Sequence, residues 1–95
     1  MSKHDEIANK LAKKFKTEYK SDKGIDLVTP DKVIEVETKK ASLSQGIGQV
    51  VKSQKARYLA VNKININNVL KETKGTGVGV MSETGRIIKK AGRKK

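Results

Sequence analysis

Ninety-five residues with 22 Lys and Arg against 10 Asp and Glu, a formal net charge of +12, make one small basic domain whose default partner is a polyanion, nucleic acid first. The chain has no cysteine and one histidine, His4, which excludes a disulfide framework, a thiolate zinc site and a His-rich metal site, so any metal must be held by oxygen. No apolar run approaches the ~18 residues that span a bilayer and no cleavable leader is visible, so a soluble, intracellular, cytoplasmic protein with no membrane partner is expected.

Ser2, with Asp5 three residues on, has the form of a capping box, and Ile7, Ala8, Leu11, Ala12 and Phe15 recur at helical spacing. A helix over about 3–18 follows, with His4 on its apolar side in a packing or capping position and Glu6 projecting away from the stripe. Two strands, 25–28 and 32–38, flank a turn at Thr29-Pro30-Asp31. Ser42 and Gln45 have the form of a second capping box, and Leu43, Ile47, Val50 and Val51 form a stripe that predicts a helix over about 42–55. A strand at 57–62, a short helix at 64–70, a strand at 77–81 and a turn at 83–85 come next. The alternating glycines from Gly75 to Gly79 lack the Lys-Ser/Thr of a phosphate loop. Residues 1–85 are expected to be the domain and 86–95, with six cations and no acid, a basic C-terminal tail, of which 86–89 can return as a last strand. This order predicts an α/β sandwich, a mixed sheet with flanking helices.

The acids are concentrated in one place. From Thr38 to Lys71 there are seven cations and no acid, whereas Asp26, Asp31, Glu35 and Glu37 lie within a dozen residues of one another. The two-residue period of a strand puts Ile34 and Val36 on one face and Glu35, Glu37 and Lys39 on the other. A hairpin closing symmetrically about Pro30-Asp31 pairs positions that sum to 61, which sets Val28 against Val33, Asp26 against Glu35 and Gly24 against Glu37. Like charges so opposed, with Cβ atoms about 4.5–5.5 Å apart, destabilise a sheet unless a cation lies between them. Two hard oxygen ligands at that spacing suit Mg²⁺ or Mn²⁺. The plain alternative is that the acids form the solvated face of a half-buried hairpin.

A helix, then Gly24-Ile-Asp26-Leu-Val, a hairpin, Val33-Ile-Glu35-Val-Glu37 and a helix bearing Gln49 resembles the PD-(D/E)xK nuclease superfamily, the restriction-endonuclease-like fold that includes archaeal Holliday-junction resolvases, over about residues 3–62. The resemblance implies an αβββαβ core and a Mg²⁺- or Mn²⁺-dependent DNA endonuclease in which Asp26, Glu35 and the Val36 carbonyl bind the metal. Glu37 stands at the third motif position, usually Lys, which orients or activates the attacking water, while Lys39 would offset charge on the phosphate. Glu37-Thr38-Lys39 is an alternative frame for the Glu-x-Lys element. Family members often use an acid from the first helix, for which Glu6 is the matching candidate.

Gln49 lies on the helix flank where the family often places a site glutamine, and Lys52, Lys55, Arg57 and Arg93 are candidate phosphate contacts. A basic nucleic-acid-binding module with a degenerate site on the same fold is the alternative function, its affinity coming from phosphate contacts alone. With one Phe and no Trp the core is thin, so a homodimer is expected, its interface on the helix at 64–70 and the strand around Val78 and Val80.

Overall fold

The computed structural model describes residues 2–19 and 25–92, and within them eight regular elements follow in the order α1 (Lys3–Lys14), β1 (Leu27–Val28), β2 (Lys32–Glu37), α2 (Leu43–Val50), β3 (Ala56–Val61), α3 (Ile66–Glu72), β4 (Gly79–Ser82) and β5 (Ile87–Lys89). Short 3₁₀ turns, Lys40–Ser42 and Lys63–Asn65, lead into α2 and α3. The five strands lie side by side in chain order, β1 antiparallel to β2, β2 and β3 and β4 parallel, and β5 antiparallel to β4. The α/β class and mixed sheet are those expected from the sequence. Among the described residues between α1 and α2 there are two strands plus one isolated antiparallel bridge, Tyr19 to Leu27. Among the described residues no helix is long and apolar enough to cross a membrane.

The layers follow from connection handedness. Two successive crossovers, β2-α2-β3 and β3-α3-β4, step in the same direction across the sheet, so right-handed connections put α2 and α3 on one face. There Leu43, Val50 and Val69 pack on Val33, Leu59, Val61, Val78 and Val80. On the other face Ile7, Ala8, Leu11 and Ala12 of α1 pack on Leu27, Ile34, Val36, Tyr58, Ala60 and Met81. Burying a Leu or Val side chain contributes about 1.5–3 kcal/mol, so two thin aliphatic layers replace the aromatic mass that the chain lacks. Val78 and Val80, expected at a dimer interface, are instead fully buried, because α2 and α3 cover the sheet face onto which they project. Among the described residues the exposed large apolar ones are Val28, Val51, Ile64 (80% exposed), Ile87 and Ile88.

Several boundaries differ from periodicity. The Ser2 hydroxyl caps α1 by accepting from the Asp5 N–H (3.1 Å), but the helix ends at Lys14 because Lys16 adopts a left-handed conformation (φ 54°) and Thr17 N–H bonds back to the Ala12 carbonyl. The Thr17 hydroxyl then donates to the Val28 carbonyl (2.6 Å), tying the chain to β1. At α2 the expected capping box does not form: the Ser42 hydroxyl donates to the Lys39 carbonyl, and the helix stops at Val50. β4 begins at Gly79 because Gly77 is in the left-handed region (φ 77°). Ile87–Lys89 is a paired strand, and beyond it Ala91 N–H donates to the Tyr58 hydroxyl and Gly92 N–H to the Gly77 carbonyl, so 87–92 belongs to the folded body.

Gly79 is required by this last packing. A Cβ there would lie 2.6 Å from both the Ala91 nitrogen and the Lys89 carbonyl and 2.5 Å from the Tyr58 ring, and two of these three are main chain that cannot swing away. Gly79→Ala should cost about 3 kcal/mol, at the upper end of overpacking effects, read as a lower urea midpoint with unchanged slope.

Candidate functional site

The hairpin closes in the register that sums to 61, with Val28 opposite Val33 and Leu27 opposite Ile34. β1 is only two residues long, and the chain bends at Asp26 before it. This bend separates Ile25 from Leu27: Ile25 packs with the α2–α3 layer and Leu27 with the α1 layer, although strand alternation would put both on one face. Gly24, expected opposite Glu37, lies outside the described residues, as does Arg93.

Asp26 therefore sits at the edge of β2 where ladder pairing has ended. Its Oδ2 accepts from the Val36 N–H (2.9 Å), a main-chain donor that would otherwise face the missing length of β1. In a strand a residue's N–H and C=O point to the same side, so the Val36 carbonyl is directed toward this edge too. Asp26 and Glu35 are both buried, each 6% exposed, and Glu37 is half-buried. Glu35 and Glu37 share the Val33 face as alternation requires, but that face is covered by α2 and is not a solvated one.

Glu35 is the electrostatic anomaly. Its Oε2 is buried without a hydrogen-bond partner among the described residues, a rare condition for a polar atom in a folded protein. Its neighbour is the Asp26 carboxyl, an acceptor like itself, so close contact between the two needs a shared proton or a cation. Burial above all, then the hydrogen-bonding and charge of Asp26 and the charge of Glu37, push the Glu35 carboxyl up to about 9. Burial also raises Glu37, opposed by the Ser42 hydroxyl and His4 and reinforced by Asp26. Gly46 of α2 makes room for Glu37: a Cβ at that position would lie 2.7 Å from Glu37 Oε2 and 2.8 Å from its Cγ.

Three residues from outside the hairpin complete the cluster. His4 Nε2 lies 3.2 Å from Asp26 Oδ2, His4 Nδ1 lies 3.2 Å from the Tyr19 hydroxyl, and that hydroxyl donates to Asp5 Oδ1 (2.7 Å). Tyr19 has one proton and gives it to Asp5, and the contacts run on without a break from Asp5 through Tyr19 and His4 to Asp26. Burial, the Asp5 hydrogen bond and the nearby carboxylates hold the Tyr19 phenol well above its ordinary range, while the Tyr19 hydrogen bond lowers Asp5. His4 was legible only as a packing or capping residue. The sign of its role is that, as the sole histidine, it lies on the side of the first helix that turns toward the acidic hairpin.

The other candidates are dispersed. Glu6 is exposed on α1, as its helical phase implies. Lys39 is exposed two residues beyond the end of β2, and Gln49 is half-buried on α2. Lys52 is exposed, while Lys55 Nζ donates to the Thr29 carbonyl (2.8 Å) and the Arg57 guanidinium to the Val51 and Gly92 carbonyls. Arg57 pairs with Val33, four positions before the Glu37–Val61 pair, so it lies about 13 Å along the strand from the acidic end. The basic residues near 55–57 thus serve the opposite end of the sheet.

Among the described residues no three His, Cys, Asp or Glu side chains stand in metal-holding geometry. The set that fits a hard cation is smaller: two adjoining buried carboxylates, one with an orphaned oxygen, beside a main-chain carbonyl. Mg²⁺ is often bound through one or two carboxylates with water completing its shell. Comparison with protein-family models, with curated proteins and with solved structures returned no match to this chain.

Proposed function

We propose that this chain is a divalent-metal-dependent phosphodiesterase acting on DNA, an endonuclease of the restriction-endonuclease-like kind. The observation that carries the reading is the unpartnered, buried Glu35 Oε2 beside Asp26 in a protein of net charge +12. A chain so rich in Lys and Arg has cations with which to neutralise a buried acid pair, yet among the described residues Oε2 of Glu35 has no such partner. The isolated Tyr19–Leu27 bridge stands where the first of three strands would precede β1 and β2, which supports the finer fold assignment.

Asp26 and Glu35, with the Val36 carbonyl, would hold Mg²⁺ or Mn²⁺. When bound, such a cation polarises a phosphoryl oxygen and lowers the pKa of a coordinated water. The Val36 N–H and His4 fix the Asp26 carboxyl through Oδ2 and leave Oδ1 for the site. Glu37, half-buried against Gly46, would accept a proton from the attacking water, in the position that a Lys usually takes. Lys39, exposed beyond the strand end, can reach a phosphate without being held by the protein. The exposure of Lys39 also favours the second reading, a DNA-binding module on this fold with a degenerate site.

Metal binding separates the two. Titration with Mg²⁺ or Mn²⁺ should raise the melting temperature of the parent and leave Glu35→Gln unmoved, and duplex, nicked, flap and junction DNA should be cut only with metal present. Melting curves indifferent to either metal, with no cutting of any geometry, would leave the binding module standing.

His4→Ala should weaken metal affinity and cleavage about 10–100-fold, the usual cost of losing the group that orients a ligand. Tyr19→Phe, which keeps the ring but removes the hydroxyl, should have a smaller effect in the same direction. Unaltered metal titrations in His4→Ala would make His4 a packing residue.

A further inference from the structure

We propose that the groove beside the β4–β5 hairpin binds an unpaired nucleic-acid strand, continuous with the strand whose phosphate lies at the carboxylates. The proposal rests on the phosphodiesterase reading for where that strand comes from. Glu37, Val61 and Ser82 are register partners in one crosswise row over β2, β3 and β4. Ser82, which lines the groove, is therefore about 10 Å from Glu37, two strand spacings along the same end of the sheet. The 3₁₀ turn Lys63–Asn65 follows β3, the strand between them, and is fixed to the end of β2 by the Asn65 side chain donating to the Thr38 carbonyl (2.9 Å).

The groove holds about 710 Å³, within the range of small-molecule sites. Among the described residues Ile66, Ile87 and Ile88 contribute its apolar walls, and Lys63 and Arg86 its cations. Its one acid, Glu83, is ion-paired with Lys3 (3.1 Å), so the surface offered to a ligand is positive. Aliphatic walls with cations match a nucleotide that presents a base face and a phosphate together. A duplex keeps its base faces stacked inside and shows a protein surface only phosphates and groove edges, whereas an unpaired strand can insert a base among apolar side chains. A second copy of this chain suits the groove poorly, because it brings a net charge of +12 against a positive surface.

The test is fluorescence anisotropy in EDTA with a labelled oligothymidine of about 15 nucleotides and a blunt duplex of the same length. Lys63→Ala/Arg86→Ala should weaken single-strand binding about tenfold and make the dependence of log K on log salt shallower by about 1.4, 0.7 for each phosphate contact. Lys71→Ala/Lys74→Ala, with the same net charge but both positions on or just after α3, away from the groove, should weaken it much less. Ile88→Asp should lower single-strand affinity more than duplex affinity. Equal losses in the two double variants, or parental single-strand binding in Lys63→Ala/Arg86→Ala, would overturn the proposal, as would a sedimenting dimer that Ile88→Asp dissociates. These measurements need no cleavage. A parent protein that cuts no DNA in Mg²⁺ or Mn²⁺ would remove the phosphodiesterase reading and with it the origin of the strand, while the groove variants alone decide whether the groove binds it.

Discussion

Glu35→Gln should abolish metal-dependent cleavage while making the metal-free protein more stable at neutral pH. Loss of a ligand that serves a Lewis acid worth several kcal/mol corresponds to about 10³-fold in rate. The gain in stability has a separate cause. The Glu35 carboxyl is buried beside Asp26 and must take up a proton to stay neutral there, whereas an amide is neutral at every pH and can donate to the Asp26 carboxylate. Relief of that burial penalty at neutral pH amounts to about 1–3 kcal/mol, or at least about 4 °C in melting temperature for a domain of this size.

The gain must depend on pH, with a defined sign. The Glu35 carboxyl rises from its ordinary 4.5 to about 9 on folding, so the native state holds this proton more tightly than the unfolded chain does. Its contribution to stability is complete below pH 4.5 and is lost progressively as pH climbs toward 9. Parent and Glu35→Gln should therefore melt alike near pH 4 and diverge upward from there, in EDTA. Melting curves that stay parallel across this range would show that Glu35 is not strained, and DNA affinity that falls together with cleavage would make it a structural residue. Glu35→Ala should likewise keep or tighten DNA binding, since it removes a negative charge from the neighbourhood of a phosphate.

Gly46→Ala should separate activity from stability. Alanine in a helix interior is favoured over glycine by about 1 kcal/mol, but the new Cβ would stand 2.7–2.8 Å from the Glu37 side chain and has to displace it. The opposing effects leave stability within about 1 kcal/mol of the parent. Displacing a reacting group by about 1 Å costs about 100-fold in rate, and that is the expected loss of cleavage. Gly48→Ala is the internal control: nothing lies within 4 Å of its Cβ, so it should gain helix stability and keep full activity. Equal activity in the two variants would place Glu37 outside the chemistry.

Local chemistry determined much of this protein. The Ser2 cap, the 3.6-residue stripe of Ile7, Ala8, Leu11 and Ala12, the register about Pro30-Asp31 and the placing of Glu35 with Glu37 opposite Ile34 and Val36 were all legible in the sequence, because each depends on residues within about a dozen positions and on the fixed periods of helix and strand. Tertiary structure alone decided the rest. It ended the first helix at Lys14, where the following segment is pulled back by Thr17 onto Val28 and by Tyr19 onto Asp5. It buried Val78 and Val80, since whether a sheet face is covered depends on where the crossover helices pack, here α2 and α3 through Leu43, Val50 and Val69. It carried Lys55 and Arg57 to the end of the sheet away from the acids, because a parallel crossover returns the chain to the end where the previous strand began. Above all it set His4 against Asp26 across 22 positions. A contact between the first turn of a helix and the edge of a strand is fixed by the packing of one layer on another, and no period within either segment encodes it.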